Sequence, residues 1–221
     1  MRTPREIYTA YKIMPNLQLH QLRVAAVGKL ICDNFTHPLK KGDVILAGLF
    51  HDMGNILKFD FIHFPQFTEP EGLTYWESVK EEYRAKYGSD EHEASIKIGK
   101  EIRLPQSVLW IIDTMRFSRS EEILSSDNYE LKVAKYGDLR AGPHGILPLQ
   151  ERLEEAKRRY GKKKASFARD TDVDRLNKAC FGIERQLFQD LSITPEDIHD
   201  ASVAPIVEEL WEYPVTVSVS L

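Results

Sequence analysis

His51 and Asp52 follow directly on the apolar run Leu46-Ala47-Gly48-Leu49-Phe50. A carboxylate carried into a poorly solvated place costs roughly several kcal/mol unless a cation or a donor compensates it. A divalent metal does so, because imidazole and carboxylate are ordinary ligands for Zn, Fe, Mn, Co and Ni. The competing reading is that the doublet only closes a core helix, with Gly54 as its left-handed stop. Two distant residues bear on that choice. His20 falls on the apolar stripe of Leu17, Val24, Val27 and Ile31, and Asp138 stands between Gly137 and Leu139 at the end of a helical stretch. Singly, an inward His is a core residue with one satisfied nitrogen, and an Asp after a Gly is a turn residue. Their co-occurrence with the doublet, in the order His, His-Asp, Asp, sets them apart from those single readings.

The elements that must position these side chains are helices, because most of the chain carries a 3.6-residue apolar period and strand patterns are scarce. Helical stretches are expected over Leu17 to Cys32 and over Val44 to Met53, the second with Asp43 as N-cap between Gly42 and Gly54. Thr74 with Glu77 suggests a capping box opening a charged helix that ends near Gly88. Asp90 opens a helix carrying His92, and Pro105 suits the first turn of a core helix through Val108 to Ile112. Further helices are expected over Tyr129 to Arg140, Leu147 to Tyr160, Asp172 to Leu191 and Pro195 to Trp211. The tail Val215 to Val219 alternates like a short strand. Residues Ile56 to Thr74 break the helical pattern with an aromatic, Pro-interrupted segment, Phe59 to Phe67, which suits either a lid over a site or a loop folded on the core. The fold class is all-α.

Composition narrows the function. The 221 residues suffice for one domain, or one domain with an appended lobe, and for a core that needs no staples. A hydrophobic share of 42% with 29% charged residues describes a globular protein. The net charge of -4 offers no general attraction to nucleic acid or to an anionic membrane. Cys32 and Cys180 are too few for a disulfide framework or a thiolate zinc site, and they suit the core of a protein in a reducing compartment. The N-terminus lacks the apolar region of a signal peptide, and no apolar run approaches membrane-spanning length, so a cytoplasmic location is expected.

The set His20, His51, Asp52 and Asp138 resembles the ligand pattern of the HD-domain superfamily of metal-dependent phosphohydrolases. The likeness runs through Leu19-His20-Gln21-Leu22-Arg23-Val24-Ala25, the doublet, and Tyr136-Gly137-Asp138-Leu139-Arg140-Ala141-Gly142-Pro143-His144-Gly145, and it covers roughly residues 15 to 160. It implies an HD-domain helical bundle over 1–160, with the helices and extended tail of 161–221 packed on it. It also implies one divalent ion per chain (Mn, Fe, Co, Ni, Zn or Mg) held by those four residues, with Asp52 orienting or deprotonating the attacking water. The substrate it implies is a small phosphate ester, most readily a nucleotide.

Some family members carry an extra histidine near His92, where it binds a second metal or a substrate phosphate. The further histidine usual in two-metal members is missing from Trp110-Ile111-Ile112-Asp113-Thr114-Met115-Arg116. That absence weighs against the di-iron oxygenases built on this fold, although Asp113 offers a substitute ligand. Phosphate contacts are expected from Arg23, one helical turn after His20, from Arg140 with His144 behind it, and from Lys58. Lys58 is considered because Asn55 stands where the family often has lysine. A non-catalytic nucleotide-binding signalling module is the alternative function. The run Lys157 to Lys164 reads as a solvated helix end, nucleic acid is disfavoured as a partner, and a homo-oligomer is compatible with the sequence.

Overall fold

The computed structural model describes residues 2–62, 64–160 and 170–215. Thr3 caps the first helix, α1 (Pro4–Ala10), through a capping box with Glu6. Pro15 then opens α2 (Pro15–Asp33), whose inner face is mostly small or β-branched: Val24, Ala25, Ala26, Val27 and Gly28 are all buried. Such a face lets neighbouring helices approach closely. One neighbour is α3 (Lys41–Phe50), buried along its whole length from Val44 to Phe50. After an irregular segment come α4 (Leu73–Tyr87), α5 (Glu91–Glu101), α6 (Gln106–Thr114), α7 (Ser120–Ser125), α8 (Tyr129–Arg140), α9 (Leu149–Tyr160), α10 (Asp170–Leu187) and α11 (Asp200–Leu210). Among the described residues there is no strand, only isolated bridges such as Arg2 with Val215.

Helix α2 is the hub: α3, α8 and α11 all lie against it, and α3 also meets α8 and α6. Helix α10 packs on α7 and α8, so Cys180, Ile183 and Leu187 join the same apolar core as Leu22, Val27 and Leu49. No helix is long and apolar enough to cross a membrane among the described residues.

Several sequence expectations move. Helix α3 begins at Lys41 rather than Val44, so Asp43 lies in its first turn, favourable to the helix dipole but not its cap. Gly54 is not a left-handed stop, since its φ is -91°. It is a glycine because α5 crowds it: a Cβ there would lie 2.2 Å from the Glu91 carbonyl oxygen. Thr74 does not cap α4, because the chain enters that helix from Gly72 at φ 88°, two residues too early for a Thr74–Glu77 box. Asp90 does cap α5, accepting from the amides of His92 and Glu93. Pro105 is the residue before α6 rather than its first.

The stretch from Pro195 to Trp211 is two elements, a 3₁₀ turn over Pro195–Asp197 and then α11, with His199 as the N-cap. The break segment contains 3₁₀ turns over Asn55–Lys58 and Pro65–Thr68. Lys157 and Arg158 are exposed on α9, whereas Gly161 to Lys164 and the tail beyond Val215 lie outside the described residues.

Candidate metal centre

Two close helix crossings fix the site. Helix α3 meets α2 at Gly48, where a Cβ would lie 2.6 Å from the Ala25 Cα, and α8 meets α2 at Gly137, where it would lie 2.7 Å from the Val24 carbonyl oxygen. Only glycine permits backbones this near. His51 and Asp52 follow the first crossing by three and four residues, Asp138 adjoins the second, and His20 projects from α2 one turn before both. The three helices are therefore pinned beside the residues that carry the chemistry.

The donor atoms of His20, His51 and Asp52 lie within 4.8 Å of one another. His20 Nε2 is 3.6 Å from Asp52 Oδ2 and 3.5 Å from Asp138 Oδ1. His51 Nε2 is 3.6 Å from Asp52 Oδ2 and 3.7 Å from Asp138 Oδ1. These separations exceed hydrogen-bond length. They match the roughly 3.4 Å edge of a tetrahedron drawn at about 2.1 Å around a divalent ion.

His51 supplies the most direct indication of a fit. Its Nδ1 lies 2.9 Å from the Gly48 carbonyl, which only accepts, so in the neutral ring Nδ1 carries the proton and Nε2 presents the lone pair. That Nε2 is buried and has no hydrogen-bond partner, a costly arrangement unless something binds it. Without an ion, burial opposes charge on His51, but Asp52, Asp138 and the Gly48 carbonyl outweigh it and raise its pKa to about 9. Burial likewise opposes charge on Asp138, yet His20, His51 and Lys135 hold its carboxyl well below the usual range. The cluster is an electrostatically paired pocket whose donor set suits a divalent cation.

A family model for the HD domain matches residues 18–141, more than half of the chain, a span containing His20, His51, Asp52 and Asp138. The chain belongs to the HD-domain family. No curated protein and no solved structure matches it. In the HD centre the doublet is braced from behind. Gln21, fully buried, accepts the Asp52 amide through Oε1 at 3.2 Å. The Asn55 amide donates to Asp52 Oδ2, and Ser95 Oγ accepts from the Gly54 amide at 2.9 Å.

Lys135 was not foreseen. It is almost wholly buried, with Nζ 3.5 Å from Asp138 Oδ2 and 5.7 Å from the centre of the Phe117 ring. Its sequence signal is a lysine one helical turn before the ligand, on the face that carries it.

The other candidates disperse around the HD centre. Arg23 is half-buried and donates one Nη2 bond, at 3.3 Å, to the His144 carbonyl. His144 is exposed, its ring 5.9 Å from that of Phe67. Lys58 pairs with Glu91 at 3.3 Å. His92 is engaged away from the four ligands, with Nε2 3.0 Å from Asp113 Oδ1, and Arg116 and Arg119 also hold Asp113. Asp113 is thus part of a closed ion-pair group.

Arg140 differs from its expected role in phosphate binding. It is buried, and its guanidinium donates to the carbonyls of Leu147, Pro195 and Ile198 and to the Tyr136 hydroxyl. Those contacts turn the fork away from the metal centre and make Arg140 a tie between α8 and the C-terminal segment.

Proposed function

We propose that this HD protein is a divalent-metal-dependent phosphohydrolase that cleaves a phosphate ester of a small molecule, with nucleotides as the leading class. The observation that carries the reading is the buried, unpartnered His51 Nε2 facing two carboxylates and a second imidazole within the HD span. His20, His51, Asp52 and Asp138 would hold the ion, one of Mn, Fe, Co, Ni, Zn or Mg. Bound there, such an ion lowers the pKa of water toward about 7 and polarises a phosphoryl oxygen.

The chain's own residues do the rest. Asp52 turns Oδ2 to the imidazoles and to Asn55, so Oδ1 is the atom that orients the attacking water and takes its proton. Arg23 and Lys135 flank the ligands from α2 and α8 and neutralise the phosphate as charge builds on its oxygens. The fixed Gly48, Gly137 and Gln21 contacts keep the ligands from rearranging as substrate binds.

The test is chromatography of a panel of mono-, tri- and cyclic nucleotides with stripped protein reloaded with Mn²⁺, Co²⁺ or Ni²⁺, and Asp52→Ala as the blank. Turnover that disappears in the variant supports the hydrolase and names its substrate class. Ion bound without turnover of any member removes the nucleotide reading, in favour of a nucleotide-binding module or a non-nucleotide substrate.

A further inference from the structure

The segment after the doublet gathers its aromatic rings into one group. Phe59 meets Phe61, Phe64 and Phe67, and Phe64 stacks on Phe67 with centroids 6.1 Å apart at 30°. Phe59 and Phe67 are seated on the core, but Phe67 stays half-exposed and ends the row against His144 at 5.9 Å and 33°. His144 is exposed and comes from the loop after α8, on which Asp200 Oδ1 accepts the Ile146 amide at 2.9 Å. Its carbonyl is held by Arg23, one turn along α2 from His20. Arg23 therefore ties α2, which carries His20 one turn away, to the loop that presents one ring of the aromatic pair.

We propose that Phe67 and His144 form a stacking seat for the planar base of a nucleotide whose phosphate lies at Arg23 and the metal ligands. The proposal rests on the hydrolase reading for the site's location and adds what selects the substrate. A half-exposed phenylalanine fixed from behind by its own kind presents a rigid π-face at little entropic cost. Its present partner is an exposed, loop-borne ring that a base can displace or slide beside. Stacking tolerates any base, so the seat selects nucleotides over sugar phosphates without choosing strongly among them.

The test is equilibrium binding of nucleoside 5′-monophosphates and of ribose 5-phosphate to Mn²⁺-loaded protein, read by calorimetry beside turnover. The wild type should bind at least one nucleotide about tenfold more tightly than ribose 5-phosphate. Phe67→Leu, which keeps apolar bulk against Phe59, should erase that ratio while ribose 5-phosphate binds as before. Phe67→Trp should restore it. Equal affinity for nucleotide and ribose 5-phosphate in the wild type, or equal weakening of both in Phe67→Leu, overturns the seat. Base-dependent binding without turnover keeps the seat and removes the hydrolase. Turnover of ribose 5-phosphate as efficient as that of the nucleotides does the reverse.

Discussion

His51 and His92 both sit close to aspartates, and their surroundings differ in kind. At the corner of α2, α3 and α8, His51 fixes one ring nitrogen on the Gly48 carbonyl and leaves the other buried without a partner before two carboxylates. At the corner of α5 and α6, His92 turns its Nε2 to Asp113, whose charge Arg116 and Arg119 also share. The first corner holds excess acceptors converging on a point. The second is a group of opposite charges already satisfied. The residue types are alike in both, so the difference lies in what each side chain has left to offer.

The largest effect expected from this contrast is at the first corner. His51→Ala or Asp52→Ala should lower metal content from about one ion per chain to near none, with helical content retained. Metal analysis with circular dichroism reads this, and full ion content in both variants would dissolve the contrast. Arg140 and Arg23 extend it to arginines. Arg140→Met should leave metal content alone but cost about 3 kcal/mol in urea unfolding, because several buried carbonyls lose their donor. Arg23→Ala should instead lower kcat/KM on the true substrate with little change in stability.

Next in size is a pH effect. In stripped protein His51 has its pKa raised to about 9, so its contribution to stability is complete below its unfolded value of about 6.5 and fades as pH rises through 9. Asp138, held low, contributes above the ordinary carboxylate range and fades only on acidification. A bound ion requires His51 without its Nε2 proton. The gain in Tm on loading should therefore grow between pH 6.5 and 8.5, and a calorimetric gain that shrinks over that range would refute the assignment. The smallest effect belongs to the second corner. His92→Ala should change stability by less than about 1 kcal/mol and leave ion content unchanged. Two ions per wild-type chain and one in this variant would make His92 a ligand after all.

The four converging residues were legible because ligand types on an apolar background are costly and hence informative. The Asp90 cap and the whole of α8 were legible too, since local chemistry decides them. What was not legible is set by partners distant in sequence. Arg140 resembled a phosphate ligand because its acceptors at Pro195 and Ile198 lie 55 and 58 residues away. Lys135 drew no reading in Lys132-Val133-Ala134-Lys135, because only packing shows that it is buried. Thr74 failed as a cap because Gly72, not the capping box, sets where α4 begins. Gly54 was misread for the same reason: its need is room for Glu91 of α5, which a single-chain pattern does not record.

The tie at Arg140 has a consequence for the order in which the protein is made. His20, His51, Asp52 and Asp138, the proposed ligands, have all been synthesised by residue 138, but the acceptors at Pro195 and Ile198 arrive about 60 residues later. At about 5–20 residues per second, a nascent chain waits roughly 3–12 s with its ligands in hand and that guanidinium only partly satisfied. The α8 wall of the site is thus made firm by a segment distant in sequence, and the arrival of Pro195 and Ile198, rather than of residue 138, completes the acceptors of Arg140.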